Sequence, residues 1–334
     1  MATEYITTVK STGGDYASLN AWQAGWGSNT GTHNGDLVSA DAIETAECYS
    51  FPDTATVIIT GWLTSATQYI KVYTPLSERS ATGIFDNTKY YLNITVGANA
   101  TYAIDHRVNY ACFEGIQIQV TNGVYTNDVA LLVQSITAGG SDIYVDKCIF
   151  QATGFSGSGT CQGIQNSDAD GTLTVRNSIC YGFQNGANAM SSLWCGAGTM
   201  NVYNCVSTKS YRGSRQTGGT MTITNSALFN NSSVDYTGTI TATYCASDDT
   251  KTGTGNIDWN LGATDWAANF TDYANDDYSL KSTAPDLIDA GTDLSGSGVT
   301  DDIIGTTRST HDIGAFEYVS AAAAGNPWNY YAQQ

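Results

Sequence analysis

Five segments of the chain align without a gap: IYVDKCIF (143–150), LTVRNSIC (173–180), MNVYNCVS (200–207), MTITNSAL (221–228) and ITATYCAS (240–247). Their first and third positions are apolar and their second and fourth are polar. That alternation describes a strand with one buried face. ACFEGIQI (111–118) is an earlier and weaker member, with Gly115 in the fifth place. The starts of the five are 30, 27, 21 and 19 residues apart. A constant strand unit joined by loops of changing length is the pattern of a parallel β-helix. In that fold each turn of chain adds one rung, and equivalent residues stack at strand spacing.

The fifth and sixth positions describe the corner of such a rung. Asn177, Asn204 and Asn225 hold the fifth. Asparagine tolerates left-handed backbone, and its amide can bond the next member of a stack. The sixth holds Cys148, Ser178, Cys205, Ser226 and Cys245, which reads as an inward column of compact residues. Buried, unreactive thiols are therefore expected. The eight cysteines include no C-x-x-C pair and the chain has three histidines, so a zinc site is not expected, and a large chain made in a reducing compartment is not expected to carry a disulfide framework. Thirty-five glycines, four prolines and 13% charged residues suit many short strands joined by turns.

A solenoid must cover its ends. GGDYASLNAWQAGW (13–26) predicts a helix led by Asp15 that carries Tyr16, Leu19 and Trp22 over the first rung. Strands are expected near 43–49, 55–60, 68–73 and 89–96. The chain then divides into an N-terminal segment with its capping helix (1–40), rungs (41–260), a closing segment (261–318) and an aromatic tail (319–334).

DYSLKSTAPDLIDAGTD (277–293) and DDIIGTTRSTHDIGAFEY (301–318) resemble the closing segment of right-handed parallel β-helix proteins of the pectate-lyase-like superfamily. The shared series runs through Asp277, Tyr278, Leu280, Pro285, Asp289, Ala290, Gly291, Gly305, Arg308, Asp312, Ile313, Gly314, Ala315 and Glu317, with Thr283 where serine is usual. GDYASLNAWQ, GDLVSADAIETAECY and ITGWLTSATQYIKVY resemble the opening of β-helix proteins frequent in tailed-bacteriophage virions and on bacterial surfaces. The resemblance covers nearly the whole chain. It implies an all-β, single-stranded right-handed parallel β-helix with an N-terminal capping helix and a C-terminal cap. It specifies function less well, because this scaffold hosts lyases, hydrolases, adhesins and inert virion parts. Asp289, Arg308, Asp312, Gly314 and Glu317 are expected to lock the last rung, with the carboxylates accepting bonds from backbone N–H groups and from Arg308.

A formal charge of −18, from 13 basic and 31 acidic residues, repels a phosphate backbone, so nucleic acid is not an expected partner. The opening MATEYITTVKSTGG lacks the basic and apolar regions of a secretory signal, and no apolar run has the length of a membrane span. Synthesis in a host cytoplasm and residence on a virion released by lysis are therefore expected. The leading expectation is a bacteriophage virion structural protein, a capsid decoration or vertex protein or a tail appendage. Its partners would be other virion proteins, further copies of itself and a host surface polysaccharide. The chain is short for a tailspike with a separate anchoring domain, which favours the capsid surface. The alternatives are a polysaccharide lyase or hydrolase acting on acidic glycans, and a non-catalytic glycan-binding adhesin.

Candidate chemistry falls in two loops. Asp168 and Asp170 in NSDADG are spaced as calcium-binding carboxylates can be, although two carboxylates without the rest of a calcium loop read equally as a polar turn. No cofactor is therefore expected beyond a calcium ion there. Lys209, Arg212 and Arg215 in KSYRGSRQTGG gather nearly a quarter of the basic residues and suit a sugar carboxylate or an acidic neighbour. Beyond the cap, Trp328, Tyr330 and Tyr331 follow an alanine-rich linker and are expected to bind a partner, with folding back onto the chain's own solenoid the equal alternative.

Overall fold

The computed structural model describes residues 2–25, 35–121, 125–134, 140–154, 159–184 and 190–320. Trp328, Tyr330 and Tyr331 lie outside them.

The chain is a parallel β-helix of three sheets. Each rung between the two ends contributes one strand to each sheet in turn. The first sheet stacks Thr3–Val9, Ala42–Cys48, Ile70–Tyr73, Tyr110–Glu114, Asp142–Asp146, Thr172–Arg176, Thr199–Tyr203, Thr220–Thr224 and Thr241–Thr243. The second begins at Pro52–Asp53 and Tyr91–Thr95, runs through Gln117–Thr121, Ile149–Thr153, Ile179–Tyr181, Val206–Thr208 and Ala227–Phe229, and ends at Ala246–Ser247 and Ile257–Asp258. The third stacks Val57–Ile59, Tyr102–His106, Asp128–Val133, Cys161–Asn166, Ser191–Cys195, Arg212–Gln216 and Val234–Thr237. The gap-free alignment of the repeats is also their register: Ile143 faces Leu173, Leu173 faces Met200, and Met200 faces Met221. These residues and Val145, Val175, Val202 and Ile223 fill the space between the sheets.

The corner from the first sheet to the second repeats in every aligned rung. Gly115, Lys147, Asn177, Asn204, Asn225 and Tyr244 all take positive φ, between 47° and 72°. The next residue turns inward; it is Ile116 after Gly115, and in the five aligned repeats it is a Cys or Ser whose side chain bonds the carbonyl two residues back. Cys148 Sγ reaches Asp146 O, Ser178 Oγ reaches Arg176 O, Cys205 Sγ reaches Tyr203 O, and Ser226 Oγ reaches Thr224 O. The serines also accept from the preceding rung: Cys148 N donates to Ser178 Oγ at 3.1 Å and Cys205 N to Ser226 Oγ at 3.0 Å. Cys148, Cys205 and Cys245 are free and buried, and burial pushes the Cys205 and Cys245 thiols up to about 12.

At the N-terminus, Thr3–Val9 joins the first sheet beside Ala42–Cys48. The covering helix is Leu19–Gly25, shorter than the predicted span. Asp15 does not lead it. Its carboxylate instead accepts from the backbone N–H and hydroxyl of Thr8, and Ser18 Oγ accepts from Ala21 N as the helix begins. Leu19 and Trp22 are buried, with Trp22 stacked on Trp62 at 5.6 Å.

The closing segment does not confine itself to the last rung. It turns back along the outer face of the second sheet and builds a second core there. Ile149, Ile179, Val206, Ala227 and Phe229 from the sheet pack with Trp259, Phe270, Tyr278, Leu287, Ile313 and Phe316. Its edge is bonded to the asparagine corner. Asn225 Nδ2 donates to Thr292 O at 2.7 Å and Thr292 N returns a bond to Asn225 Oδ1 at 2.9 Å. Asn204 Nδ2 donates to Asp312 O at 2.7 Å, and Arg308 Nη2 donates to Asn177 Oδ1 at 3.1 Å. One rung further back, Lys147 pairs with Asp301 at 2.7 Å.

Within the segment Arg308 forms a buried ion pair with Glu317 at 3.2 Å, not with Asp312. Asp312 accepts the backbone N–H groups of Asp289 and Tyr318. Asp289 is exposed and takes part through its backbone, where φ is 57°. Gly314 donates its N–H to Asn225 O at 2.7 Å with φ of 104°, a conformation that only glycine adopts cheaply. Asp302, which the sequence pattern does not single out, accepts from Ile304, Thr306 and Glu317.

Three outcomes follow from this architecture. Thiol labelling of the native protein should be slow at Cys148, Cys205 and Cys245, and fast modification would contradict the column. Asn225→Ala removes two bonds to Thr292 and places alanine in left-handed backbone, so urea unfolding should show a loss of about 2 kcal/mol or more. Asn225→Gly should lose less, because only the bonds are missing. Glu44 gives a pH test. Burial holds its carboxyl up at about 7, whereas an unfolded glutamate releases its proton near ~4.3. The folded chain therefore keeps a proton that the unfolded chain loses. The contribution of Glu44 is complete below about pH 4 and is lost as pH rises through 7. Glu44→Gln should gain about 1–3 kcal/mol relative to wild type between pH 5 and pH 8, and parallel stability curves would refute the assignment.

Candidate functional site

The third sheet carries an arginine face near the C-terminal end of the solenoid. Ser191, Arg212 and Val234 occupy equivalent places on three successive strands, as do Trp194, Arg215 and Thr237. Trp194 precedes Arg215, and Ser191 precedes Arg212, by the same 21 residues that separate the aligned segments at 200 and 221. One rung of chain therefore brings each pair side by side, at about 4.8 Å between strands.

Both arginines lie over aromatic rings. The Arg215 guanidinium is 4.7 Å from the Trp194 ring centroid, and that of Arg212 is 4.8 Å from the ring of Tyr211. Trp194 is held in place by its indole N–H, which donates to Thr217 Oγ1 at 2.8 Å. Burial, with the neighbouring Arg212 charge second, pushes Arg215 down from its ordinary value. Arg79, Arg107, Arg176 and Arg308 each pair with a carboxylate. Arg212 has no carboxylate partner among the described residues. Its Nη1 is buried without a hydrogen-bond partner, as is the hydroxyl of the fully buried Ser191 beside it. Gln216 Oε1 and Thr237 Oγ1, on the same and the next strand, are in the same condition.

Along the same outer row, the acidic end is closed. Asp105 lies four strands before Arg215 and is bonded by Arg107 and Gln134. At the C-terminal end of this face Arg212 has no such carboxylate among the described residues.

The other candidates named from sequence go elsewhere. Lys209 bonds Asp276 at 2.6 Å and Ala274 O at 2.9 Å, and so ties a rung to the closing segment. Asp168 is buried at the corner between the third and first sheets. Ser141 Oγ donates to one of its oxygens, and Asp170 N donates to the other at 3.2 Å. Asp170 is exposed at the same turn. Among the described residues, no three His, Cys, Asp or Glu side chains are grouped as metal ligands. The structure thus brings together Arg212 and Arg215 and separates them from Lys209, Asp168 and Asp170. Trp194, Tyr211 and Ser191 complete the arginine face and were not singled out from sequence. The 21-residue rung spacing is the signal that would have placed them.

No family model matches the chain, and no curated protein matches it.

Proposed function

We propose that this protein is a surface component of a tailed-bacteriophage particle whose β-helix binds a carboxylate-bearing glycan on the outer face of the third sheet, through Arg212 and Arg215. The observation that carries the binding reading is Arg212 itself: a guanidinium stacked on an aromatic ring and free of any carboxylate among the described residues, in a chain of net charge −18. Guanidinium groups match carboxylates in a planar, two-bond geometry. Trp194 and Tyr211 add ring faces of the kind on which sugar rings stack. The particle reading is supported by the resemblance of both ends of the sequence to β-helix proteins of virions.

Calorimetric titration with a tetragalacturonate probe tests the binding. Wild type should bind it, less tightly as salt is raised, and Arg212→Ala should weaken binding about tenfold to a hundredfold. Equal affinity in the variant would place the site elsewhere. Appearance of shortened or unsaturated products during the titration would move the reading to a lyase or hydrolase. Antibodies against the chain should decorate intact particles released by lysis of the producing host, and their failure to do so would remove the particle assignment without touching the glycan site.

A further inference from the structure

The first sheet carries a groove on its outer face, about 490 Å³ in volume, between the strands and the Gly296–Gly298 turn of the closing segment. Tyr69, Tyr110 and Tyr144 line it together with Asp142 and Arg176. Tyr110 and Asp142 are register neighbours on adjacent strands, and Tyr144 follows Asp142 on the same outward side. The volume falls within the range of small-ligand sites.

The charges in the groove are unequal in their freedom. Arg176 is spent: its Nε lies 3.1 Å from Asp146 Oδ2, Nη1 reaches Ser297 O at 3.5 Å, and its guanidinium lies 5.5 Å from the Tyr144 ring centroid. Asp142 is exposed and has no cationic partner among the described residues. The groove therefore offers a net negative polar group, which works against a uronate. The three tyrosine rings are not in contact with one another among the described residues, so they form separate platforms and not a closed cage around a single cation. Tyr144 is 40% exposed. Ring faces spaced along a groove, with a carboxylate to accept hydroxyl protons, are what a chain of neutral sugar rings can use.

We infer that this groove is a second saccharide site, for a neutral oligosaccharide, separate from the arginine face on the third sheet. It stands on different residues and a different sheet, so it does not depend on the glycan site proposed above. The wall formed by Gly296–Gly298 also makes it dependent on the docked closing segment. A methyl group at Gly298 would approach Arg176 Nη1 to 2.5 Å, so the wall is seated directly on the sheet.

Saturation-transfer NMR on the full chain tests this with neutral tetrasaccharide probes, the β-1,4-glucan, α-1,4-glucan and β-1,4-mannan tetramers. At least one should bind. Tyr144→Ala and Tyr110→Ala should each weaken that binding tenfold or more with melting temperature unchanged. Asp142→Asn, which keeps an oxygen acceptor, should change affinity less than about fivefold. Arg212→Ala should leave it unaltered while weakening tetragalacturonate. Binding by none of the three tetramers, or binding indifferent to both tyrosine variants, would overturn the inference. Loss of neutral-sugar binding in Arg212→Ala would assign both sugars to the third sheet and also overturn it.

Discussion

Everything in this fold depends on one backbone conformation, the left-handed corner between the first and second sheets. Six successive rungs use it, at Gly115, Lys147, Asn177, Asn204, Asn225 and Tyr244. It lets a single residue reverse the inward and outward sense of the chain, so that the residue after it, a small Cys or Ser in five of the six, can occupy the tight inner angle. The cost of positive φ for a side chain is about 1–2 kcal/mol, and asparagine lowers it by local hydrogen bonding. In return the corner presents a row of side-chain amides to the closing segment, beneath which Asn177, Asn204 and Asn225 are fully buried. Asn225 shows the use: its amide makes the paired donor and acceptor contacts to Thr292 that another backbone would make.

The closing segment exploits that row. It reads as a cap in sequence, yet it adds a flank, and the flank is held by carboxylates that accept backbone N–H groups. Asp302, Asp312 and Glu317 each gather donors from the segment. Arg308 ties this knot to the corner through Glu317 and Asn177. A buried pair of this sort contributes less to net stability than to fixing one arrangement, since both charges are taken out of water. The aromatic cluster around Phe229 supplies the burial that the segment needs.

How much of this the sequence reveals depends on the range of the signal. Alternation at positions 143–146 and its four counterparts gives the first sheet, its register and the inner face, because each strand reports its own two sides. The asparagines give the corner for the same local reason. The second sheet is harder to read. Its strands at Ile179–Tyr181 and Ala227–Phe229 are three residues long and buried on both faces, so alternation is lost and the outer core is invisible. Asp15 looks like a helix cap because only the chain behind it is considered; Thr8, seven residues earlier, claims it first. The arginine face was half legible. Arg212 and Arg215 stand out in an acidic chain, but Trp194 joins them only when a rung length is applied to residues outside the aligned strands. The tyrosine groove needed the position of Gly296–Gly298, which no local pattern supplies.

The flank also changes how the solenoid can come apart. Rungs alone interact with their neighbours, so a bare stack frays from its ends one unit at a time. Here one stretch of chain touches Asn225, Asn204, Asn177 and Lys147 in turn, linking residues as far apart as 147 and 301. Loss of a single middle rung must strip that stretch from the others as well. Nearest-neighbour coupling becomes coupling across the array, and the rungs it spans melt as one cooperative unit. The same contacts set an order of assembly, because the flank has no surface to join until the rungs beneath it exist.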